Sequence, residues 1–391
     1  MVQRDDKEFP LKSLPKRWVG CDLEEEYFGD DRKMSKKDRK SASAKDRSKY
    51  KKTDREKLQK QTAQTDAIKA SHKDYLEGRV LSILPEGIIV EHEDRTITCA
   101  LRGILKKDKS QFKNLVTVGD YVQFELISPT EGQIGYVKPR RSTLSRADNL
   151  SRRKEQLIAA NIDQVLVTTS VVSPPLKSAL VDRYIIAAQK GKMEPVIVIN
   201  KIDLLQNELN QEDSLIIQEK ELLEELVKVY QSIDIPAIPV SVVTGEGLDQ
   251  LKSIMKGKAS VFSGQSGVGK SSLINIITGL DLETSLIVEK TQKGSHTTSI
   301  TKLIPLEFGG WCIDTPGIKS FGVWDLSKDE VEQYFSEIYS EGHNCHYPDC
   351  AHIHEKGCAV HDAVEKGRIS ILRYSSYLSL IGSISQEHLR R

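Results

Sequence analysis

The order of three short loops constrains this chain more than any other feature. Asn200-Lys201-Ile202-Asp203 reads N-K-x-D. Gly264-Gln265-Ser266-Gly267-Val268-Gly269-Lys270-Ser271 reads G-x-x-x-x-G-K-S, and Asp314-Thr315-Pro316-Gly317 reads D-x-x-G. Each follows a short apolar run: Pro195-Val196-Ile197-Val198-Ile199, Ala259-Ser260-Val261-Phe262 and Gly310-Trp311-Cys312-Ile313. Such runs read as buried strands. Open α/β sheets bind ligands in the loops at the carboxyl ends of their strands.

Where these three motifs serve one nucleotide, they ordinarily run phosphate loop, D-x-x-G, N-K-x-D. Here N-K-x-D comes first, so the chain reads as a circularly permuted GTPase. The permutation leads the segment after D-x-x-G directly into whatever follows at the C-terminus. In the phosphate loop, the glycines let backbone N–H groups of Gly264, Gln265, Ser266, Gly267, Val268 and Gly269 turn toward phosphate oxygens. Lys270 would reach the β- and γ-phosphates, and Ser271 would ligate magnesium. Ser272 continues a helix whose N-terminus faces the anion. Asp203 would accept from N1–H and the exocyclic amine of guanine, a donor pair that adenine lacks. Asn200 would fix the loop and the Lys201 stem would cover the base. Ser241, after the strand-like Ile238-Pro239-Val240, suits the loop that meets guanine O6.

Asp314 would hold magnesium through water, and the Gly317 N–H would touch the γ-phosphate. Ile318 follows where many GTPases carry a glutamine that orients the attacking water. Gly294-Ser295-His296-Thr297-Thr298 lies between the phosphate loop and D-x-x-G, where the first switch belongs. His296 is the candidate to orient water or act as base, since it titrates near neutral pH. Thr297 or Thr298 would ligate magnesium, and the sequence leaves the choice open.

Three of six cysteines crowd together. Cys345, Cys350 and Cys358, with His352, read C-x4-C-x-H-x5-C, a Cys3His set for one tetrahedral, structural zinc. His343, His346, His354 and His361 compete with His352 for the imidazole place. Cys21, Cys99 and Cys312 are scattered, and Cys312 is expected to pack within its strand.

The formal charge is +1, but it is segregated: Arg32 to Lys60 carries fourteen Lys/Arg against four Asp/Glu, leaving about −9 on the remainder. The first seventy or so residues have few apolar positions and read as a basic, mostly disordered arm. From Gly78 to Arg146 five short runs alternate with turn residues: Arg79 to Ile83, Gly87 to Val90, Thr96 to Ala100, Tyr121 to Glu125 and Gly132 to Val137. They predict a small OB-type barrel. Arg102, Lys106, Lys107, Lys109 and Lys113 gather in its middle connection, and Lys138, Arg140 and Arg141 follow its last strand. This ribbon of charge suits RNA phosphate. The GTPase sheet is expected to begin at Asp163 to Thr169, with an amphipathic helix over Gln218 to Gln231. Helix-like stretches at Lys328 to Tyr339 and Ala359 to Leu380 enclose the cysteines. No apolar leader or membrane-length run is visible, and metal-ready thiols suit the reducing cytoplasm.

Barrel, permuted GTPase and trailing Cys3His cluster together resemble the ribosome small-subunit-dependent GTPase A family, from about Gly78 to the C-terminus. Gly-x-His-Thr-Thr at 294–298, Asp-Thr-Pro-Gly-Ile at 314–318 and the Cys3His run at 345–358 carry the likeness. It implies a GTPase acting late in 30S maturation, which binds 16S rRNA, is stimulated by the ribosome and is released on hydrolysis. It also implies Asn200 and Asp203 as guanine readers, and Lys270, Ser271 and Asp314 as phosphate and magnesium residues. His296 would be the catalytic histidine, and Cys345, Cys350, His352 and Cys358 the zinc ligands. The long basic arm departs from that compact pattern. The expected organisation is an arm (1–75), an OB domain (76–146), a permuted GTPase domain (147–325) and a helical zinc domain (326–391). A monomer is the expected state. Two rivals stand beside this reading: an RNA-binding assembly chaperone that only senses GTP, and a permuted GTPase of the large subunit.

Overall fold

Alternating burial along five short strands closes a barrel. They are β1 (Leu76–Leu84), β2 (Gly87–His92), β3 (Arg95–Leu101), β4 (Tyr121–Leu126) and β5 (Glu131–Val137). The computed structural model describes residues 75–93, 95–102, 115–147, 155–205, 214–280, 301–314 and 328–389. The order β1-β2-β3-β5-β4 returns to β1, with β3 and β5 parallel and the other pairs antiparallel. Every second side chain points inward. Val80, Val90, Ile97, Cys99, Val122, Phe124 and Ile134 therefore fill the interior. The barrel is of the OB type that the five runs predict.

The ribbon β6 (Thr143–Ala147) and β7 (Glu155–Ala160) follows the barrel. Then come β8 (Gln164–Ser170), helix α1 (Ser178–Lys190), β9 (Glu194–Asn200), α2 (Ser214–Gln231), β10 (Ala237–Pro239), α3 (Leu248–Met255), β11 (Ala259–Ser263), α4 (Lys270–Thr278), β12 (Lys302–Pro305) and β13 (Trp311–Asp314). The strands lie in the order β10-β9-β8-β11-β13-β12, parallel except for β12. β8 and β11 are buried at every residue. Helices cover both faces of a parallel sheet, which is why those strands are continuous apolar runs rather than alternating ones. One face packs on α1 and α2 through Leu180, Tyr184, Leu226 and Tyr230. The other packs on α3 and α4 through Leu251, Met255, Leu273 and Ile277.

The barrel sheet continues into this one through a single register pair, Ser82 of β1 opposite Lys302 of β12. Arg79 reinforces the joint. It is 4% exposed, and its guanidinium lies 4.4 Å from the Trp311 ring and 5.1 Å from the Tyr121 ring. It donates to the Asn161 carbonyl at 2.8 Å.

Four helices complete the fold: α5 (Lys328–Tyr334), α6 (Ser336–Gly342), α7 (Ala359–Glu365) and α8 (Ile371–Leu389). Two expected helices are each broken. Lys328 to Tyr339 parts at Phe335, whose φ of −102° and ψ of 78° are not helical. Ala359 to Leu380 parts at Gly367, where φ is +70° and the chain reverses before α8. A second buried arginine ties these helices to the GTPase sheet. Arg373 of α8, 2% exposed, pairs with Asp182 of α1 and with Glu337 of α6 at 2.6 Å. Tyr230 of α2 donates to the same Asp182 at 2.8 Å, and the Phe335 ring lies 4.2 Å from the guanidinium. No helix among the described residues is long and apolar enough to cross a membrane.

Candidate nucleotide site and metal centre

The phosphate loop bends as its glycines allow. Gly264 and Gly269 have φ of +152° and +91°. A Cβ at Gly264 would stand 2.0 Å from the Thr168 carbonyl oxygen, and one at Gly269 would stand 2.3 Å from Asn200 Nδ2. No other residue fits either place. Gly269 caps α4, and Ser271 and Ser272 lie exposed in its first turn. Lys270 Nζ arches over the loop and donates to the Gly264 and Gln265 carbonyls, each at 2.7 Å. Ser266 and Gly267 are exposed, while Val268 packs inward.

The N-K-x-D loop grips this loop directly. Asn200, 2% exposed at the end of β9, donates through Nδ2 to the Val268 carbonyl at 2.9 Å. Its Oδ1 accepts the Lys201 N–H at 2.8 Å. Lys201 takes a left-handed φ of +68° and sends Nζ to the Gly267 and Ser173 carbonyls, each at 2.7 Å. One motif therefore positions the other across more than sixty residues of sequence. Asp203 Oδ1 accepts the Ser241 hydroxyl at 2.6 Å. The same hydroxyl oxygen accepts the N–H groups of Val243 and Thr244 at 3.2 and 3.1 Å, which closes the turn after β10. One carboxylate oxygen of Asp203 is thus fixed by Ser241, which holds the other beside a backbone turn.

The register Val261 to Ile313 sets the Asp314 backbone beside Phe262, two residues before the phosphate loop begins. His296, Thr297, Thr298, Gly317 and Ile318 lie outside the described residues, as do the arm and Lys106 to Lys113.

The cysteine cluster assembles as the spacing implies. One ligand atom from each of Cys345, Cys350, His352 and Cys358 lies within 4.8 Å of the others. The Cys345 and Cys358 sulfurs are 3.8 Å apart, and His352 Nδ1 is 3.5 and 3.4 Å from them. A tetrahedron with metal–sulfur bonds of about 2.3 Å and metal–nitrogen bonds of about 2.0 Å has edges of roughly these lengths. The donor set therefore fits zinc. Burial pushes the Cys350 thiol up, and burial together with Cys345 and Cys350 pushes Cys358 up to about 12. Such thiols ionise when a cation sits among them.

His352 is the histidine that the fold brings to the sulfurs. It takes a left-handed φ of +58°, its Nδ1 faces the sulfurs, and its Nε2 lies 3.4 Å from a Glu332 carboxylate oxygen without a hydrogen bond to it. His361 is committed to the Tyr374 hydroxyl and the His352 carbonyl. His343 is held by the Tyr339 carbonyl, and His346 packs on Tyr347. Glu355 holds the intervening turn by accepting the N–H groups of Ala351, Ile353 and His354 at 2.8 to 3.0 Å.

Sequence reasoning missed two features of these sites. Lys201 ties the loops together through Ser173, which no spacing marks. Arg140, read as part of a charged ribbon, is committed to the fold: it binds both Asp120 oxygens at 2.7 and 2.8 Å and the Leu115 carbonyl. Lys138 pairs with Glu77 at 2.6 Å.

The family model for the RsgA GTPase matches residues 137–324. The small ribosomal subunit biogenesis GTPase RsgA of Caldanaerobacter subterraneus subsp. tengcongensis is 36% identical over 318 residues, covering 81% of this chain and 98% of its own. The protein of that name from Chlorobaculum parvum is 40% identical, covering 71% of this chain and 88% of its own. Among solved structures, YjeQ from Thermotoga maritima superposes with a TM-score of 0.63 at 32% identity, over 78% of this chain and 97% of its own. YloQ, described as a circularly permuted GTPase, gives 0.62 at 28% identity, over 81% and 97%.

Proposed function

The chain belongs to the RsgA GTPase family, and from that membership we propose that it hydrolyses GTP on the small ribosomal subunit late in 30S maturation and leaves once hydrolysis is complete. The observation that carries the nucleotide half of this reading is the direct hydrogen bond from Asn200 to the phosphate loop, which builds base and phosphate recognition into one unit. Asp203 reads guanine through the oxygen that Ser241 leaves available. Lys201 covers the base, and the loop N–H groups with Lys270 take the phosphates. Ser271 and Asp314, with Thr297 or Thr298, would hold the magnesium that accompanies GTP, whose charge would offset that of the phosphates. His296 orients the attacking water, a task that Ile318 cannot perform. One zinc per chain holds the C-terminal helices in shape for binding 16S rRNA. The protein works in the cytoplasm as a monomer.

Steady-state GTP hydrolysis tests this, with protein alone and with 30S, 50S or 70S particles, and ATP as control. Stimulation that needs the 30S subunit, with ATP inert, is the expected result. Stimulation by 50S alone would overturn the small-subunit assignment. His296→Ala should lower turnover by about 10²-fold or more with GTP binding retained. Unchanged turnover would remove His296 from the mechanism.

A further inference from the structure

A cleft of about 420 Å³ opens at the joint between barrel and GTPase sheet, and none of the nucleotide motifs lines it. It lies at the opposite ends of the parallel strands from the phosphate loop. Asp163 precedes β8, Glu194 begins β9, Lys258 precedes β11 and Trp311 begins β13. A seven-residue strand puts about 20 Å between the two edges. The barrel contributes Arg79 and Tyr121 to its wall.

The charge balance of this cleft is uneven. Four cations line it, Arg79, Arg141, Lys192 and Lys258, against the carboxylates of Asp163 and Glu194. Both carboxylates are already engaged. Glu194 pairs with Lys258 at 2.7 Å, while Asp163 accepts the Ala259 N–H at 2.8 Å and Arg141 at 3.3 Å. Lys192 is exposed, and its ammonium makes no ion pair among the described residues. Below them Arg79 is buried between two aromatic rings with no carboxylate bonded to it, Asp163 and Glu91 acting on it only through space, and its Nε–H has no acceptor; Glu91 is committed to the Trp311 indole N–H at 3.2 Å. With Glu91 counted, the cleft keeps a surplus of one positive charge beside the half-buried rings of Tyr121 and Trp311. That combination is how proteins hold single-stranded nucleic acid: cations track the phosphates and aromatic rings meet the bases. The volume suits one nucleotide and excludes a duplex, whose grooves need a surface rather than a pocket.

We propose that this cleft holds one nucleotide of a single-stranded RNA segment, with its phosphate at Arg141, Lys192 and Lys258 and its base toward Tyr121 and Trp311. The proposal deepens the small-subunit reading and rests on it for the source of the RNA. Lys192 is the cleanest probe, because removing it breaks no ion pair in the fold.

The full-length protein, with GDP and magnesium filling the nucleotide site, is titrated with a short single-stranded RNA and, separately, with GMP. Lys192→Glu should weaken the RNA about 10-fold at low salt and flatten its salt dependence by about 0.7 in log–log slope. Lys192→Arg should restore both, and basal GTP hydrolysis should not change. An RNA carrying a photoreactive uridine should crosslink to peptides that contain Trp311 or Tyr121. RNA affinity of Lys192→Glu within twofold of wild type, GMP binding as tight as RNA binding, or crosslinks confined to the basic arm would each overturn the proposal. Co-sedimentation separates the two readings. Lys192→Glu binding 30S as well as wild type defeats the cleft and spares the small-subunit assignment. Wild type failing to bind 30S defeats that assignment, and the RNA titration still decides the cleft.

Discussion

Two buried arginines join the three parts of this molecule, and they are neutralised in opposite ways. Arg373, between the C-terminal helices and the GTPase sheet, meets two carboxylates, Asp182 and Glu337, with Tyr230 bonded to the first. Arg79, between barrel and sheet, meets two aromatic faces and one backbone carbonyl, and the carboxylates of Asp163 and Glu91 act on it only through space. Bonded carboxylates cancel charge; ring faces and carbonyls solvate it, and carboxylates at a distance offset it only in part. The first joint is therefore electrostatically closed and brittle, because losing either partner strands a buried charge. The second leaves positive potential at the surface beside it, where the basic cleft lies. One joint holds parts together, and the other also equips the seam for an anion.

The largest effect should come from the Cys3His cluster, which α8, the helix that carries Arg373, joins through the hydrogen bond from the Tyr374 hydroxyl to the His352 carbonyl. Structural zinc contributes on the order of 10 kcal/mol to small domains that depend on it. Cys358→Ser, or removal of metal by a strong chelator, should unfold α7 and α8, measured as lost helical circular dichroism and rapid proteolysis after residue 342. GTP affinity should stay within a few-fold, since Asn200 and Lys201 hold the two nucleotide loops without help from these helices. Parallel loss of GTP binding would show that the C-terminal unit supports the site after all.

Arg373→Met comes next. It leaves Asp182 buried without its cation, a change that costs about 3–5 kcal/mol in comparable sites. Denaturant unfolding should show the loss, and the double variant Arg373→Met with Asp182→Leu should recover much of it. A double variant no better than the single one would mean that the ion pair itself, rather than relief of an unpaired charge, secures the joint. Arg79→Met should cost less, about 1–3 kcal/mol, from lost cation–π contact and one hydrogen bond. Equal costs at the two arginines would erase the contrast between the joints.

How much of this was legible in the sequence follows from where the partners lie. The strand-and-loop motifs were readable because a strand buried on both faces must be apolar throughout, as β8 and β11 are. The barrel showed itself through alternation in runs such as Tyr121 to Glu125. The cysteines were visible by spacing, but the choice of His352 among five histidines depends on tertiary contacts, such as those that commit His343 to the Tyr339 carbonyl and His361 to Tyr374, which spacing does not encode. Arg79 and Arg373 gave no signal, since Arg373 finds Asp182 across 191 positions. The ribbon of β6 and β7 was missed because its strands carry polar residues and no turn signature of the common hairpin kind. Arg140 was misread for the same reason as the two joint arginines: a basic residue declares its charge in sequence, not the carboxylate it meets.

The smallest expected effect sharpens the contrast through acid. Burial would raise the Glu355 carboxyl, but the N–H groups of Ile353, Glu355, His354 and Ala351 outweigh it and hold it at about 2, against an ordinary 4.5. A carboxyl depressed by folding contributes stability that is present in full above its unfolded value and lost as pH falls toward its folded value. The turn that carries His352 should therefore lose this support between about pH 4.5 and 2. The aromatic rings and carbonyl bonded to Arg79 do not titrate in that window, and the carboxylates that act on it, Asp163 and Glu91, lie far from this turn in the fold. Stability of the C-terminal helices should be compared between wild type and Glu355→Gln from pH 7 down to 2.5. The variant should be weaker at pH 7, and the gap should close as Glu355 protonates. Protonation of the cluster's thiols affects both proteins alike, so the closing gap isolates this one carboxylate. A gap that stays constant with pH would mean that Glu355 organises the turn by its shape and not by its charge.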